Sequence, residues 1–211
     1  KSRTKYKRLL ILFSEIKQAD IYIISVTDGA IAEVSAQLPF TGRLVVHTSG
    51  STGIDALDAK NRRGVFYPLQ TFSKNKDLDF STVPLCLESE NLSDYITLET
   101  LANALSKSVY NISSEQRRAL HVAAVFVSNF ANHMYVQGNK VCDEHNIPFE
   151  ILQPLIQETA AKITSLAPLE AQTGPAIRHD QQTIKRHMDF ITDNNQKAIY
   201  TLLTQLIQQT T

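Results

Sequence analysis

Two short apolar runs with a helical segment between them constrain the fold of this chain most. The first, IYIISV (residues 21–26), is continuous and rich in β-branched residues, which is typical of a strand buried on both faces. The second, RLVVHT (residues 43–48), is of the same kind. The intervening AIAEVSAQL has apolar residues at helical spacing and stops at Pro39. Strand, helix and strand in this order predict a βαβ unit of a parallel sheet.

Three further strand-like segments follow, and after them the pattern changes. These segments are GVFYPL, VPLCLE and SVYNI, with a helical stretch over residues 93–106 before the last. From residue 113 onwards we predict a long helix to about residue 145 and then three amphipathic helices, over IPFEILQPLIQETAAKITSL, DQQTIKRHMDFI and NQKAIYTLLTQLIQQ. The predicted fold class is α/β plus all-α, with a sheet domain over 1–112 and a helical domain over 113–211.

The charge balance and hydropathy of the chain exclude several classes of function. Lys+Arg and Asp+Glu both number 21, so no net field draws the protein to nucleic acid or to an anionic membrane. No apolar run reaches the roughly 18 to 20 residues of a spanning helix, and the basic start lacks an Ala-x-Ala-like cleavage site. We therefore expect a soluble, cytoplasmic protein whose partners are small molecules or proteins.

The cysteines predict neither a disulfide nor a metal site. Cys86 and Cys142 stand alone without a CxxC pair, which is typical of two buried thiols. Cys142 and His145 are only two possible ligands, with no further Cys or His near them in the sequence. We predict that the protein holds no metal.

The loop TSGSTG (residues 48–53) after the second predicted strand leaves two interpretations open. A ligase phosphate loop would continue with Pro-Lys-Gly, whereas Ile54 and Asp55 follow here, and the G-x-x-x-x-G-K-[ST] loop is absent too. Ligands of open parallel sheets bind beyond the carboxyl ends of the strands, so this loop and Thr27–Asp28 would face one crevice. Alternatively, residues 49–53 only turn the chain and cap a short helix.

Five sequence phrases in a fixed order resemble a known family. They are DIYIISVTDGAI, VVHTSGS, GVFYPLQTFSK, SEQRRALHVAAVFVSNFANHMY and QTGPAIRHD, and they run from about residue 20 to 187. The family combines a Rossmann-like N-terminal domain with a helical C-terminal domain of unknown function that is similar to the one in 6-phosphogluconate dehydrogenase. Pyrroline-5-carboxylate reductase and the deazaflavin-dependent NADP oxidoreductases are relatives. The resemblance implies an NADP-binding domain, a helical domain that often forms dimers, and chemistry in the cleft between them.

The resemblance also implies where the cofactor binds. It places Ser2, Arg3 and Thr4 where related enzymes bind the adenosine 2′-phosphate of NADP. The charged guanidinium of Arg3 can donate several hydrogen bonds to this phosphate. The other predicted cofactor-binding residues lie at the two strand ends: Val26, Thr27, Asp28, His47, Thr48, Ser49 and Gly50.

The first 19 residues contain no G-x-G-x-x-G turn, which a complete dinucleotide fold uses to hold the pyrophosphate. Either the protein lacks this turn or it lies upstream of Lys1. The start at KSRT, without Met, favours the second interpretation.

Candidate proton donors lie on the long predicted helix and at the end of the second strand. At about 100° per residue, His121 and Asn132 fall on one face of the helix, with Asn129 on its flank. Relatives place a catalytic or substrate-positioning residue on the corresponding helix, often Lys with a following Asn. Histidine titrates near neutrality, and we favour His121 over its rival His47. Alternatively, His121 or Asn129 is a buried polar group bonded to nearby backbone.

Substrate-binding residues are predicted in two further segments. YPLQTFSK places Tyr67 and Gln70 in a loop after the third strand, at the rim of the same crevice. In QTGPAIRHD, Arg178 can clamp a substrate carboxylate or phosphate. Alternatively, Asp180 caps the next helix and Arg178 pairs with it.

The predicted function is that of an NADP-dependent oxidoreductase that transfers a hydride in the cleft between its two domains and forms a homodimer through the helical half. The alternative is a non-catalytic dinucleotide-sensing or interaction protein that retains the fold. The substrate stays open.

Overall fold

Five strands form one sheet in the part of the chain that the structure, a computed structural model, describes: residues 16–73 and 77–210. The sheet order is β1-β2-β3-β4-β5. The strands are β1 (Ile21–Ile24), β2 (Leu44–His47), β3 (Arg62–Pro68), β4 (Leu85–Ser89) and β5 (Val109–Asn111). Every predicted strand is confirmed, although the ends of each differ slightly from those expected.

Two α-helices accompany the sheet, and the other described helices follow it. The first two are α1 (Ile31–Ala36) and α2 (Leu92–Leu105). The later ones are α3 (Ser114–Ala124), α4 (Ala131–Glu144), α5 (Gln153–Lys162), α6 (Gln181–Phe190) and α7 (Asn194–Gln209). The expected succession of an α/β part and an all-helical part is confirmed. Among the described helices none is both long and apolar enough to cross a membrane.

The chain divides into two compact units, Lys1–Ser128 and Asn129–Thr211, called here the sheet unit and the helical unit. The last strand ends at Asn111, and α3 belongs to the sheet unit. The predicted boundary after residue 112 coincides with the end of the strands. That residues 1–112 and 113–211 are the two domains stays a prediction.

The sheet is parallel except between β3 and β4. The pairs β1–β2, β2–β3 and β4–β5 are parallel, whereas β3 and β4 are antiparallel, with Phe66 opposite Leu87. The physical reason lies in the connections. Helix α2 carries the chain across the sheet from β4 to β5, whereas the described residues between β3 and β4 hold only the 3-10 turn Phe80–Thr82.

Both faces of the sheet are packed against apolar side chains. Val45 and Val46 are fully buried and, as neighbours in a strand, point to opposite faces. Val46 packs in a cluster with Phe66 and Leu98, whereas Val45 packs in a second cluster with Ile31. Burial of each such side chain contributes about 1.5 to 3 kcal/mol. Strand β1 departs from the expected burial on both faces, since Ile23 is 49% exposed.

The long predicted helix begins as expected but is not α-helical throughout. Ser113 Oγ accepts from the Gln116 amide at 3.2 Å, and Gln116 Oε1 accepts from the Ser113 amide at 2.9 Å, which forms a capping box. Residues Val125–Phe130 form a π-helical segment between α3 and α4. The predicted common face of His121 and Asn132 assumes a regular α-helix between them. This segment is not a regular α-helix, because a π turn is wider than an α turn.

The helical unit keeps many apolar side chains at its surface. Cys142 and Ala176 are buried hydrophobic residues of this unit. Large apolar side chains that are exposed include Ile151, Leu155, Phe190, Leu202 and Leu206. Cys142 is a free, buried thiol, as is Cys86 in the sheet unit, which confirms the expectation from the sequence.

Candidate functional site

The loops after β1 and β2 meet at the carboxyl edge of the sheet. Strands β1 and β2 run parallel, with Ile24 opposite His47. Beyond them, Ser51 Oγ donates to Asp28 Oδ2 at 2.5 Å, and the hydroxyls of Thr48 and Ser25 lie 3.4 Å apart. The hydrogen bond from Ser51 holds the pKa of the Asp28 carboxyl below its usual range. Hydrogen bonds thus join the two loops.

The front of this edge is open, and the back is buried. Val26 is 43% exposed, Thr27 and Asp28 are exposed, and Thr48 is half-buried. A Cβ added at Gly29 would meet no atom within 4 Å, so there is free space beside the first loop. Ser49 and Gly50, in contrast, are buried behind this surface. The edge therefore offers polar groups and one apolar side chain to a ligand.

His47 is fully buried and uses both ring nitrogens inside the β2 loop, residues 48–53. Nδ1 accepts from the Ser49 amide at 3.1 Å, and Nε2 donates to the Gly53 carbonyl at 3.2 Å. An amide N–H can only donate and a carbonyl can only accept, so this ring is the neutral Nε2–H tautomer. Burial, followed by the nearby Arg117 charge, lowers the pKa of His47. The geometry gives His47 the role of holding the loop.

Arg117 braces the β2 loop from below, and sequence reasoning did not single it out. Its guanidinium is fully buried; Nε donates to the Ser49 carbonyl at 3.2 Å and Nη2 to the Thr52 carbonyl at 2.6 Å. Nη1 forms an ion pair with Glu88 Oε2 on β4. A signal was present in the sequence, since Arg117 lies four residues before His121 and so on the same helical face.

Ser114 completes the network of hydrogen bonds around the buried Arg117. Its amide and its hydroxyl donate to the two carboxylate oxygens of Glu88, at 2.9 and 2.7 Å. The same hydroxyl accepts from the Ile54 amide at 3.0 Å and from Arg117 Nη2 at 3.1 Å. The start of α3, the end of β4 and the β2 loop are thereby joined through charged and polar groups.

Tyr67 and His121 meet beside Gly50. The Tyr67 hydroxyl lies 3.4 Å from His121 Nδ1, with the rings edge to face at a centroid distance of 6.4 Å. A Cβ added at Gly50 would lie 2.7 Å from both the Tyr67 ring and His121 Nδ1, so only glycine fits without a shift. Burial raises the pKa of the Tyr67 hydroxyl, which therefore stays protonated at neutral pH. His121 is half-buried.

The prediction that Tyr67 lies in a loop is wrong, because Tyr67 belongs to β3. The antiparallel pairing with β4 extends β3 to Pro68 and places Tyr67 opposite Cys86. Gln70 does follow the strand; it is exposed, and its Oε1 accepts from the Thr71 amide at 2.8 Å. Of these two predicted substrate residues, only Tyr67 contacts His121.

The other predicted site residues lie in the helical unit or outside the described residues. Asn129 and Asn132 belong to the helical unit and are exposed. Arg178 is also exposed, in a turn before α6, and is not within ion-pair distance of Asp180, although the structure describes both residues. Ser2, Arg3 and Thr4 lie outside the described residues.

Asp180 has the capping role that the sequence suggested as an alternative. Its carboxylate accepts from the Thr183 amide at 3.0 Å at the start of α6, and this hydrogen bond lowers the pKa of Asp180. Within residues 16–73 and 77–210, no group of three His, Cys, Asp or Glu side chains is arranged to hold a metal ion.

Comparisons with known proteins agree with this fold. The family described as a domain of unknown function (DUF2520) matches residues 83–207, which is more than half of the chain. Protein BF3122 of Bacteroides fragilis, whose assignment as an NADP oxidoreductase is provisional, is 39% identical with a TM-score of 0.84. The match covers 93% of this chain and 78% of that chain.

Two more distant structures share the fold alone. Protein TM1727 of Thermotoga maritima is 20% identical, with a TM-score of 0.77 and coverage of 92% of this chain and 79% of that chain. A semialdehyde dehydrogenase NAD-binding protein of Cupriavidus necator, in complex with calcium and NAD, is 13% identical with a TM-score of 0.51, over 94% and 80%. No curated protein is significantly similar in sequence. The chain therefore belongs to the DUF2520 family, with a Rossmann-like sheet followed by a helical part.

Proposed function

We propose that this protein is an oxidoreductase that binds a nicotinamide dinucleotide, with a preference for NADP, at the carboxyl edge of β1 and β2. One observation carries the proposal: an open, polar strand edge lies beside two side chains that can carry a proton, the buried Tyr67 and the half-buried His121. In open parallel sheets, ligands bind at this edge. The provisional assignment of the Bacteroides fragilis protein and the NAD in the Cupriavidus necator structure support the same class of ligand.

The residues at the edge fit a nicotinamide ring and its carboxamide. The exposed Val26 side chain offers apolar surface, and the hydroxyls of Thr27 and Thr48 can exchange hydrogen bonds with an amide. The free space beside Gly29 leaves the first loop approachable. These residues, with Asp28 and the loop residues His47, Ser49 and Gly50 behind them, form the proposed cofactor side of the site.

A nicotinamide cofactor bound at this edge would supply the hydride, and residues of the chain would supply and move the proton. A C=O or C=N bond that accepts a hydride at carbon needs a proton at its heteroatom. Tyr67 holds such a proton at neutral pH, and His121 Nδ1 lies 3.4 Å from its hydroxyl, close enough to return one. Both ring nitrogens of His47 are already bonded within the loop. We therefore assign proton transfer to Tyr67 and His121.

The remaining residues that the sequence predicts for the site are proposed to have the following roles. Asn129 and Asn132 are proposed as further catalytic residues, and Gln70 and Arg178 as substrate ligands. Ser2, Arg3 and Thr4 are proposed to bind the 2′-phosphate of NADP. The exposed apolar side chains of the helical unit support a homodimer formed through that unit, because monomeric proteins rarely expose large apolar surfaces.

Calorimetric titration of the full-length protein with NADPH and NADH tests the proposal. We expect both to bind and NADPH to bind at least about tenfold more tightly, a difference of about 1.4 kcal/mol. Binding of neither dinucleotide would contradict the proposed function. Tighter binding of NADH than of NADPH would contradict the role of Arg3. An Arg3→Ala variant should have a lower affinity for NADPH and an unchanged affinity for NADH. Binding without turnover on any carbonyl or imine substrate would support the non-catalytic alternative.

A further inference from the structure

We infer that Arg117 is a positioning residue of the proposed site, which sets the shape of the β2 loop without contacting a ligand. The identity of the ligand, a dinucleotide, rests on the proposed function. The support that Arg117 gives to the β2 loop rests on the geometry of the sheet unit alone. An arginine near a proposed dinucleotide site is commonly a phosphate ligand. Arg117 cannot bind a phosphate in this structure, because its side chain is 0% exposed and its guanidinium already donates four hydrogen bonds.

The β2 loop is held from two sides. On its amide side, the Ser51 and Thr52 N–H groups donate to Ser49 Oγ at 3.2 and 3.0 Å, so the loop satisfies these donors itself. On its carbonyl side, Ser49 and Thr52 accept from the Arg117 guanidinium. A planar guanidinium can meet two carbonyls and a carboxylate at once, whereas a lysine ammonium is a single point of charge. The shape of the loop therefore depends on the arginine fork.

The same helix carries Arg117 and His121 to the loop. They lie one turn apart on α3, so both approach the β2 loop from one helical face. Gly50 is adjacent to Ser49, whose carbonyl is bound by Arg117, and it lies against the rings of Tyr67 and His121. A shift of the Ser49 carbonyl would therefore move Gly50 and change both the proposed cofactor edge and the Tyr67–His121 contact.

The ion pair with Glu88 explains how the guanidinium can be buried. A single charge left unpaired in the interior is strongly destabilising, whereas removing both charges together is often tolerated. The informative variant is therefore Arg117→Met combined with Glu88→Gln, which leaves no unpaired charge but removes the loop contacts. The matched control is Arg63→Met combined with Glu90→Gln, which removes the more exposed ion pair Arg63–Glu90 elsewhere in the same sheet unit.

Two measurements on the full-length variants test the inference. Amide hydrogen exchange at Ser51, Thr52 and Ile54 reports the loop itself, and NADPH titration well below the melting temperature reports the proposed site. In the Arg117→Met/Glu88→Gln variant we expect at least about tenfold faster exchange at these amides and at least about tenfold weaker NADPH binding. The Arg63→Met/Glu90→Gln control should stay within about twofold of wild type in both.

The outcomes separate this inference from the proposed function. A folded double variant with unchanged exchange and unchanged NADPH affinity would overturn the inference. If the wild-type protein binds neither dinucleotide, the proposed function fails, while the exchange rates still decide whether Arg117 positions the loop. If the double variant does not fold, Arg117→Lys takes its place, because it keeps the charge beside Glu88 and loses the fork; unchanged exchange in that variant would overturn the inference too.

Discussion

The β2 loop, TSGSTG, and the turn before α6, TGPAIRHD, both contain glycine and polar residues, but the structure uses them differently. In the β2 loop, distant residues supply the partners: the buried Arg117 donates to two of its carbonyls, and the Ser114 hydroxyl accepts from the Ile54 amide that follows it. In the turn before α6, the polar contacts are local: the Asp180 amide donates to the Pro175 carbonyl, and the Thr183 amide donates to the Asp180 carboxylate. A polar turn becomes a built site when residues far away in sequence are buried against it.

The glycines of these two segments show the same contrast. Gly174 has a φ of +111°, a conformation that favours glycine for its own backbone, with no atom near a Cβ position. Gly50 has no such backbone requirement, and its Cβ position is occupied by Tyr67 and His121. The first glycine serves the turn itself, whereas the second makes room for two side chains from other elements.

Gly50→Ala should have the largest effect and tests whether the β2 loop is a built site. The added methyl group meets Tyr67 and His121 at 2.7 Å each, so both rings or the loop backbone must move. Overpacking of this kind costs about 1 to 3 kcal/mol, and we expect the free energy of unfolding to fall by that amount. NADPH affinity should fall by at least about tenfold, measured by calorimetry on the folded variant.

The control for this variant is Gly138→Ala in α4. There an added methyl group would meet only Phe149, at an ordinary contact distance of 3.9 Å. We expect unchanged NADPH affinity and a stability equal to or up to about 1 kcal/mol above wild type, since alanine favours a helix interior. Equal behaviour of the two alanine variants would contradict the packing assigned to Gly50.

The pH dependence of the free energy of unfolding tests whether His47 is buried as a support of the β2 loop. Burial lowers the pKa of His47 in the folded protein, so on acidification the unfolded chain takes up this proton first, below about pH 6.5. Stability is therefore lost as the pH falls from about 6.5 towards the lowered pKa, by at most about 1.4 kcal/mol per pH unit. His47→Gln should reduce this slope, whatever its effect at pH 8, as measured by chemical denaturation between pH 8 and 5.

His133 provides the comparison for this slope. It is an exposed histidine of α4, in the helical unit. His133→Gln should keep the wild-type loss of stability on acidification. A wild-type slope that persists in His47→Gln would mean that other groups dominate the acid response.

Arg178→Ala should have the smallest effect. Arg178 is exposed in a turn whose structure depends on the Asp180 cap rather than on the arginine. We expect the free energy of unfolding to change by no more than about 0.5 kcal/mol and NADPH affinity to stay within about twofold. A larger loss of NADPH affinity would show that this turn is part of the dinucleotide site and would remove the contrast with the β2 loop.

Much of the fold followed from local sequence pattern. The β-branched runs predicted β1 and β2, and the sequence predicted a helix from residue 113 onwards and offered Asp180 as an alternative cap of α6, because strand formation and helix capping depend on near neighbours. The antiparallel pairing of β3 with β4 was not predictable in this way. It depends on how the chain returns to the sheet, and short apolar runs do not encode the direction of a strand.

The sequence by itself determined the class of this protein: the order of strands and helices and the five phrases of its family. It also placed Thr27, Asp28 and residues 47–51 near one sheet edge, since parallel strands end together. Only the tertiary structure decided which of these groups hold the loop and which face a ligand. Burial and hydrogen bonding between distant residues made His47 and Arg117 internal supports and brought Tyr67 to His121, and no local pattern contains that information.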